Sequence, residues 1–307
     1  MTRRRPKIIV VGSANTDMIV RVTRIPRPGE TVLGGEFMTA AGGKGANQAV
    51  AAARLGGRVS FIGRVGCDSF GKSAIATLKR DGIDTRAVTH DAARPSGVAL
   101  IFVADHGENS IAVASGANAA LSARDIRTAR SSFHGARVML VQLETPLDTV
   151  RAAIDEAHRA GVRVILNPAP AQALPAAVLK KISVLTPNET EAELLTGIPV
   201  DNLRSATMAA RKLRRRGVET VIITLGKRGA LIATDDGEVL VKGFPVKPID
   251  TTAAGDVFNG ALAVALAEDC ALLEAVRFAN AAAAISVTRR GAQPSAPRRA
   301  EVNQLLT

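Results

Sequence analysis

Hydrophobic and polar positions follow two patterns that alternate along the chain. Short runs of β-branched and aliphatic residues predict strands, and Ala-rich segments whose apolar positions recur every three or four residues predict helices. Strands are expected at residues 7–12, 58–65, 138–143, 163–166, 184–185 and 220–224, and helices at 45–55, 72–80, 147–160, 188–196, 203–216, 256–267 and 272–288. This alternation predicts a mainly parallel sheet with helices on both faces, a three-layer α/β/α arrangement.

Two stretches interrupt the alternation, at residues 18–41 and 95–115, and the second contains a predicted hairpin that turns at His106-Gly107-Glu108. Consecutive strands without a helix between them do not join a parallel sheet easily. We therefore expect one α/β domain over residues 1–307, with the two insertions forming a small β-sheet lid. A lid beside the carboxyl ends of the parallel strands would exclude water from a reaction.

The composition is that of a globular protein, with 47% hydrophobic residues and no uninterrupted apolar run of membrane-spanning length. The apolar run 8–11 is too short for the core of a signal peptide, which predicts a cytoplasmic protein without a membrane partner. Only Cys67 and Cys270 are present. We interpret both as buried thiols in a reducing compartment.

The net charge of +12 raises the question of nucleic-acid binding. The densest basic cluster, residues 211–216, lies in a predicted helix whose apolar residues share one face, so its arginines are expected on the solvated face. The chain has no Trp or Tyr and only eight Phe for stacking on bases. We expect no nucleic-acid partner, and the positive charge suits an anionic small substrate equally well.

Residues 66–73 match the phosphate-binding pattern G-x-x-x-x-G-K-[ST] and stand between a predicted strand and a predicted helix. In a working loop of this kind the backbone N–H groups point at the phosphates, whereas Asp68 would place a carboxylate among them. Phe70 would also crowd the turn. We favour a helix-starting turn with Lys72 exposed, and a P-loop ATPase that uses Gly66–Ser73 remains the alternative from another class.

The segment from Asp250 to Asp256, DTTAAGD, runs directly into an apolar helix. Small residues before a helix leave its first N–H groups accessible, and these groups can receive the charge that builds on a transferring phosphoryl group. We expect the backbone of Ala253, Ala254 and Gly255 to form this anion hole. Asp256 beside it can accept the proton of an attacking hydroxyl. An ordinary Asp helix cap explains Gly255-Asp256 alone, but it explains the whole segment less well.

A second glycine-rich segment, residues 41–47, opens another predicted helix and contains Lys44 and Asn47, which carry donors suited to hydroxyl or phosphate oxygens. Asn15 and Asp17 follow the first strand at alternate positions, so both can face one side of a cleft at the carboxyl end of that strand. A simple helix-capping turn and ordinary turn residues explain these two features about as well.

Asn188 and Glu191 stand one turn apart at the start of a predicted helix. Their oxygens are suited to a water-mediated contact with Mg²⁺. A capping box explains the same pair almost as well.

Taken together, the chain resembles the PfkB carbohydrate kinase family, within it the ribokinase branch, over nearly its whole length. The segments that carry the resemblance are GSANTD at 12–17, PGETV at 28–32, GGKGANQAVAAARLG at 42–56, QLETP at 142–146, NPAPA at 167–171, TPNETEAELLTG at 186–197, ITLGKRGA at 223–230, DTTAAGDVFNGAL at 250–262 and AAAAISVTRRGAQPS at 281–295. The resemblance implies a ribokinase-like fold and ATP-dependent phosphorylation of D-ribose at its 5-hydroxyl.

The resemblance also implies a role for each matching residue. Asp256 would be the base, and the sugar would be held by Asn15, Asp17, Gly43, Lys44, Asn47 and Glu144. The nucleotide would be held by Asn188, Thr224, Gly226, Lys227, Gly229, Gly255 and Asn280. Glu191 would contact Mg²⁺ through water, and K⁺ would be bound at Asp250, Thr252, Ser286, Arg289, Gly291 and Ser295, several of them through backbone carbonyls.

Three positions depart from the pattern of the family. Asn280 stands where ribokinases often have His near the adenine, and Thr252 and Ser286 replace residues that are often apolar. Packing around the adenine is therefore less closely defined than the catalytic centre. Phosphorylation of 2-deoxyribose or another small sugar of the family is the alternative activity, and a homodimer that pairs through lid strands is expected.

Overall fold

The computed structural model describes residues 5–33, 35–105 and 108–307. Its strands are β1 (Lys7–Val11), β2 (Asn15–Val22), β3 (Phe37–Gly42), β4 (Arg58–Gly66), β5 (Val88–Asp91), β6 (Gly97–Ala104), β7 (Asn109–Ala114), β8 (Val138–Val141), β9 (Arg163–Leu166), β10 (Val184–Leu185), β11 (Thr220–Thr224), β12 (Ala230–Thr234) and β13 (Gly237–Val241). Its helices are α1 (Lys44–Arg54), α2 (Ser69–Arg80), α3 (Ala123–Thr128), α4 (Leu147–Arg159), α5 (Ala176–Leu179), α6 (Glu189–Thr196), α7 (Leu203–Arg215), α8 (Ala254–Ala267), α9 (Leu272–Ser286) and α10 (Arg299–Leu306).

The main sheet has nine strands in the order β13-β12-β11-β10-β9-β8-β1-β4-β5. All neighbouring strands are parallel except β11, β12 and β13, which pair antiparallel at one edge. Strand β1, with the sequence KIIVV, lies inside the sheet, and its apolar side chains are buried on both faces. The predicted α/β class, the parallel sheet and most of the predicted elements are therefore confirmed, each to within a few residues.

Helices cover both faces of this sheet, and each face has its own hydrophobic core. One core includes α1, α8 and α9, and the other includes α4 and α7. Helices α1 and α8 approach each other closely because Gly260 has no side chain. A Cβ atom there would lie 2.6 Å from Ala51 Cβ and 2.8 Å from the carbonyl oxygen of Gln48. This close approach brings the polar residues at the start of α1 against the start of α8.

A separate four-stranded sheet has the order β3-β2-β6-β7, with β2 and β6 parallel and the outer pairs antiparallel. The prediction of a second small sheet is confirmed, although β2 already begins at Asn15, before the predicted insertion. The predicted turn at His106-Gly107 lies outside the described residues. Strand β2 starts at Asn15 and β3 ends at Gly42, so one end of each of these two strands borders the polar cleft described below.

The surface differs from the sequence-based expectation at the cysteines. Cys67 and Cys270 are both exposed, so the prediction of two buried thiols is wrong. Cys67 lies in the turn between β4 and α2, and Cys270 lies in the turn between α8 and α9, where neither side chain reaches a core.

Within the three described ranges, no helix is long and apolar enough to cross a membrane.

Three arginines of the basic cluster at residues 211–216 bind to neighbouring groups of the same chain. Arg211 pairs with Glu238, and Arg214 pairs with Asp235. Arg216 donates hydrogen bonds to the carbonyl oxygens of Leu195 and Leu174. The expected placement of these arginines on the outer face of an amphipathic helix agrees with this arrangement.

Candidate active site

The centre of the polar cleft is the carboxyl group of Asp256, which lies in the first turn of α8 and is almost completely buried. Each of its oxygens accepts one amide hydrogen bond from α1. Asn47 Nδ2 donates to Oδ2 and Gln48 Nε2 donates to Oδ1, both at 3.0 Å. The packing of α1 against α8 thus fixes both the position and the rotation of this carboxyl group.

Lys44, at the first position of α1, is surrounded by the carboxyl groups of Asp256, Glu144, Glu191 and Asp17. Burial alone lowers the pKa of Lys44, but these carboxylates outweigh burial and raise the pKa above its usual value. The lysine is therefore a fixed positive charge in the cleft at neutral pH.

Burial raises the pKa of Asp256, while the charge of Lys44 and the hydrogen bonds from Asn47 and Gln48 oppose the rise. Burial, followed by the negative charges of Glu144 and Asp256, raises the pKa of Asp17 to about 6. Several acidic groups thus share one cation in a poorly solvated space, an arrangement that is typical of functional sites.

The start of α8 is shaped by Ala253, which adopts the left-handed conformation with a φ of 59°. A non-glycine residue in this region is strained, and such strain is concentrated at functional sites. The N–H of Ala254 donates to the carbonyl oxygen of Thr251 at 3.2 Å. The next two N–H groups, of Gly255 and Asp256, come before Val257, whose N–H donates to the carbonyl oxygen of Ala253 at 2.9 Å as the first bond of the helix. A Cβ atom at Gly255 would have no neighbour within 4 Å, so the helix start faces open space.

A cavity connects this helix start with Lys44 and with the ends of several central strands. Its lining residues are Lys44, Asn167, Ala169, Thr186, Asn188, Glu191, Thr224, Thr251, Ala253, Ala254, Gly255, Asp256 and Asn259. The residues come from the carboxyl ends of β9, β10 and β11 and from the starts of α1, α6 and α8. This is the edge of a parallel sheet at which ligands bind in open α/β folds.

Glu144 and Asn15 lie on the other side of Lys44, beside the small sheet. Glu144 Oε2 accepts hydrogen bonds from Ser13 Oγ at 2.5 Å and from the backbone N–H of Lys44 at 3.0 Å. Asn15 Oδ1 accepts a hydrogen bond from Asn118 Nδ2 at 2.7 Å. A second cavity begins at Asn15 and Glu144 and reaches Val113 of the small sheet.

Gly43 joins β3 to α1 and has a φ of 88°, a conformation that L-residues rarely adopt. A Cβ atom at this position would lie 2.7 Å from the backbone nitrogen of Asn15. The glycine therefore allows the start of α1 to lie against the start of β2. The structure brings together the residues Asn15, Asp17, Gly43, Lys44, Asn47, Glu144 and Asp256, as expected from the sequence.

Asn188 and Glu191 form a reciprocal capping box at the start of α6. Asn188 Oδ1 accepts the N–H of Glu191 at 2.8 Å, and Glu191 Oε2 accepts the N–H of Asn188 at 2.9 Å. Thr224 lies beside Asn188, and its N–H donates to the carbonyl oxygen of Pro187 at 3.0 Å. The capping interpretation of this pair is thus correct, and both side chains also line the first cavity.

Gly226 and Lys227 belong to an exposed 3₁₀ turn between β11 and β12, followed by Gly229. This turn contacts residues 241–243, because the N–H of Gly243 donates to the carbonyl oxygen of Arg228 at 3.3 Å. Asn280 of α9 reaches the same segment, with its Nδ2 3.1 Å from the carbonyl oxygen of Val241. The Gly226–Gly229 turn and Asn280 therefore both contact residues 241–243, and they lie outside the lining of the first cavity.

The loop before α8 is tied to the segment after α9 through Asp250. The carboxylate of Asp250 accepts the N–H of Thr252 at 2.9 Å and the N–H of Gly291 at 2.8 Å. Burial alone raises the pKa of Asp250, but hydrogen bonds from Thr252 and Gly291 lower it overall, so the group is held as a carboxylate.

Ser286 and Ser295 are completely buried, and their hydroxyl groups donate to the carbonyl oxygens of Ala283 and Ala292. The side chain of Arg289 pairs with Glu301. In the described part of the chain, no three His, Cys, Asp or Glu side chains are grouped as ligands of a metal ion.

Residues 66–73 do not form a phosphate-binding loop. The carboxylate of Asp68 caps α2 by accepting the N–H of Gly71 at 2.8 Å, and it also accepts the N–H of Ser96 at 2.7 Å. It therefore occupies the place that a phosphate would need, and Lys72 is exposed on the helix surface. The P-loop alternative is wrong, and the preferred helix-starting turn is correct.

Five polar residues near Asp256 were not singled out by sequence reasoning. They are Gln48, Gln142, Asn167, Thr186 and Asn259, all buried and linked by hydrogen bonds. Asn259 Nδ2 also donates to the carbonyl oxygen of Gly255 at 2.8 Å, which stabilises the helix start. A signal was present, because each stands at a strand end or within an otherwise apolar helix.

Comparison with known proteins gives consistent matches over the whole chain. The model of the pfkB family carbohydrate kinases matches residues 5–299. The ribokinase of Haemophilus influenzae is 47% identical over 98% of this chain and 99% of its own length. The deoxyribokinase of Salmonella typhi is 40% identical over 98% of each chain. The solved structure of Arabidopsis thaliana ribokinase complexed with ribose and ATP is 35% identical, has a TM-score of 0.90 and covers 99% of each chain.

The raised pKa of Asp17 predicts a pH-dependent cost to stability. A carboxyl group whose pKa is higher in the folded than in the unfolded state stabilises the fold at low pH and loses this contribution as pH rises through about 6. The variant Asp17→Asn lacks this titration. Its free energy of unfolding should therefore increase relative to wild type by about 1–2 kcal/mol between about pH 5 and about pH 7.5. Urea denaturation at several pH values measures the difference, and a constant difference would contradict the raised pKa.

Proposed function

The chain belongs to the pfkB family of carbohydrate kinases, and we propose that it transfers the γ-phosphoryl group of ATP to the 5-hydroxyl of D-ribose, giving ribose 5-phosphate and ADP. The observation that carries this proposal is the buried Asp256 carboxyl group beside the open start of α8. A base next to unpaired N–H groups serves phosphoryl transfer to a hydroxyl. The similarity to ribokinases over the full chain supports ribose as the acceptor.

The sugar would lie between Asp256 and the small sheet. Asn15, Asp17, Glu144 and Lys44 border this space with acceptors and a donor for hydroxyl groups. Asn47 adds a specific observation, since its Oδ1 is buried and has no hydrogen-bond partner within the described residues. A hydroxyl group of the substrate would satisfy this acceptor, whereas an apolar ligand would leave it unpaired.

The reaction requires the sugar oxygen, the phosphorus atom and the leaving oxygen to lie in line. Asp256 would accept the proton of the 5-hydroxyl as its oxygen bonds to the γ-phosphorus and the bond to the β-γ bridging oxygen breaks. The N–H groups at the start of α8, together with Lys44, would stabilise the charge on the transferred group. The Ala253–Gly255 backbone is the anion hole in this scheme, with Ala253 and Ala254 shaping the turn that presents Gly255.

ATP would extend from this helix start toward β11 and α9. Asn188 and Thr224 line the first cavity. The turn that holds Gly226, Lys227 and Gly229 follows Thr224 and meets Asn280 at residues 241–243. Glu191 also faces the cavity, and its carboxylate is a hard oxygen donor suited to Mg²⁺ through a bound water. When bound, Mg²⁺ would neutralise charge on the phosphates.

A monovalent cation such as K⁺ would bind at the segment around Asp250. Its ligands would be oxygen atoms: the carboxylate of Asp250, which is held ionised, and main-chain carbonyls near Thr252, Ser286, Arg289, Gly291 and Ser295. Because Asp250 and Ala253 belong to one short loop, a cation there would hold the start of α8 in its strained conformation.

The four-stranded sheet would act as a lid and as a dimer interface. Phe37, Leu100, Ile111 and Val113 of this sheet are exposed, and such apolar surface on open strands is suited to pairing with another copy. We propose a homodimer through these strands, in the cytoplasmic location that the sequence predicts.

Replacing Asp256 by Asn should remove the base and preserve the shape of the site. We expect kcat with ribose and ATP to fall by roughly 10²- to 10⁴-fold. The matched control Lys72→Ala lies outside the cleft and should keep its activity within about twofold. Steady-state measurement of ADP formation tests both variants, and a greater loss in Lys72→Ala would overturn the proposal.

A panel of sugars tests the acceptor and the cation together. With ATP and Mg²⁺, ribose should give the highest kcat/KM, and K⁺ should raise the rate relative to a large organic cation. A higher kcat/KM with 2-deoxyribose would instead make this protein a deoxyribokinase, the activity named for the Salmonella typhi relative. Preference for a hexose would contradict the choice of a pentose, and equal rates with and without K⁺ would contradict the cation site.

Sedimentation velocity tests the homodimer. The wild-type chain should sediment as a dimer, and the charged variant Ile111→Lys should sediment as a monomer because it places a charge within the apolar contact. Leu194→Lys, at an exposed apolar residue on α6, is the matched control and should remain dimeric. A monomeric wild-type chain at micromolar concentration would contradict the proposal.

A further inference from the structure

Behind Asp256 lies a chain of buried amide side chains that no step of the proposed reaction uses. Gln142 Nε2 donates to Gln48 Oε1 at 2.5 Å. Gln48 Nε2 in turn donates to Asp256 Oδ1 at 3.0 Å and to Asn167 Oδ1 at 3.1 Å. Gln48 and Gln142 are almost completely inaccessible to solvent, so neither can contact a substrate in the cleft. Their place in the fold is the contact between α1, α8 and the central strands.

The hydrogen bonds in this chain fix which end of the Gln48 amide faces Asp256. The amide oxygen of Gln48 is occupied by the donor from Gln142, so its nitrogen must face Asp256 and Asn167. The orientation of Asn167 is fixed in the same way, because its Nδ2 donates to the carbonyl oxygen of Thr186 at 3.2 Å. Both N–H bonds of the Gln48 amide are therefore directed at acceptors, one of them the carboxylate.

The backbone is built to accommodate this arrangement. Gly12 directly follows β1, and a Cβ atom there would lie 2.2 Å from Gln142 Oε1. Gly260 allows α8 to contact the backbone carbonyl of Gln48. Space for the amide chain thus depends on glycines at two separate places, which agrees with a defined position for Gln48.

We propose that Gln48 is a positioning residue for phosphoryl transfer, which fixes the rotation of the Asp256 carboxyl group and keeps it ionised so that it can accept the proton of the sugar hydroxyl. This inference rests on the proposed function and deepens it. Asn47, which the proposed function places beside the sugar, donates to the other oxygen, Oδ2. Gln48 holds Oδ1 from the side that faces the core, where no substrate group could replace it.

Charged groups from several elements act on Asp256, so the contribution of Gln48 must be separated from theirs. Lys44 of α1 favours the ionised form, while Glu144 after β8, Asp17 of β2 and Glu191 of α6 disfavour it. Burial also disfavours it, and the hydrogen bond from Gln48 opposes burial. A substitution at Gln48 alone leaves the four charged side chains in place, so its effect on Asp256 can be assigned to position 48.

The test is Gln48→Glu, which keeps the shape of the side chain and its acceptor for Gln142 but places a second carboxyl group against Asp256 Oδ1. Two carboxyl groups that share a site raise the pKa of one of them strongly. The rising limb of the kcat–pH profile should therefore move up by about one unit or more, and kcat near neutral pH should fall by about tenfold or more. The KM for ribose should change by less than about threefold, since Gln48 does not reach the substrate.

A carboxyl NMR titration of ¹³C-labelled aspartate in the free protein reports the pKa of Asp256 without any turnover, with Asp256→Asn identifying the signal. The pKa of Asp256 should be higher in Gln48→Glu than in wild type. This measurement separates the two proposals: an inactive wild-type protein would end the kinase assignment, whereas an unchanged pKa in Gln48→Glu would end the role of Gln48.

Two further variants decide the outcome if Gln48→Glu does not fold. Gln142→Met leaves Gln48 in place but removes the donor that orients its amide, and it should shift the pH profile in the same direction by a smaller amount. Thr149→Val removes a buried hydrogen bond to the carbonyl oxygen of Leu121 in the other core. It should lower the melting temperature without moving the profile. A shift in Thr149→Val equal to that in Gln142→Met, or none in Gln142→Met, would overturn the proposal.

Discussion

The proposed reaction needs the carboxyl group of Asp256 to be both buried and ionised, and these two needs oppose each other. In the proposed reaction, burial of Asp256 would exclude the water that competes with a sugar hydroxyl. The same burial raises the pKa of the group and favours its protonated form. Two amide donors from α1 and the ammonium group of Lys44 offset part of that cost. Each of these groups has to be held in place by the surrounding fold.

The fold meets this requirement by packing two helix starts against each other at the carboxyl edge of a parallel sheet. Helix α1 brings Lys44, Asn47 and Gln48, and α8 brings Asp256 together with its open N–H groups. Gly260 lets the two helices approach, and Gly43 lets α1 start against the beginning of β2. A small change in either contact would move Lys44, Asn47 and Gln48 relative to the carboxyl group of Asp256.

The sequence predicted the sheet and most helices because strand–helix alternation and apolar periodicity report directly on burial. It also indicated Asp256, Lys44 and Asn47, since glycine-rich helix starts carry a recognisable pattern. The strand bounds of the small sheet were less accurate, because polar residues such as Asn15 and Asp17 begin β2 and do not look like a strand.

Other features depend on contacts that are distant in the chain. Gln48 and Gln142 are 94 positions apart, and nothing local in the sequence shows that their amides meet. The two cysteines were predicted to be buried because free cysteines usually are. Their exposure is instead set by the turns in which they lie. By contrast, the sequence alone argued against a phosphate-binding loop at residues 66–73, because the carboxylate of Asp68 would repel a phosphate by its charge.

In the proposed reaction, Asp256 faces the sugar hydroxyl while the start of α8 holds the phosphoryl group. A crystal structure of the protein with ribose, Mg²⁺ and a non-hydrolysable ATP analogue tests it most directly. We expect Asp256 Oδ2 to lie within hydrogen-bond distance of the ribose 5-hydroxyl oxygen, about 2.6–3.2 Å, with the γ-phosphoryl group against the N–H of Gly255. A sugar whose 5-hydroxyl points away from Asp256, or a γ-phosphoryl group seated elsewhere in the cleft, would contradict it.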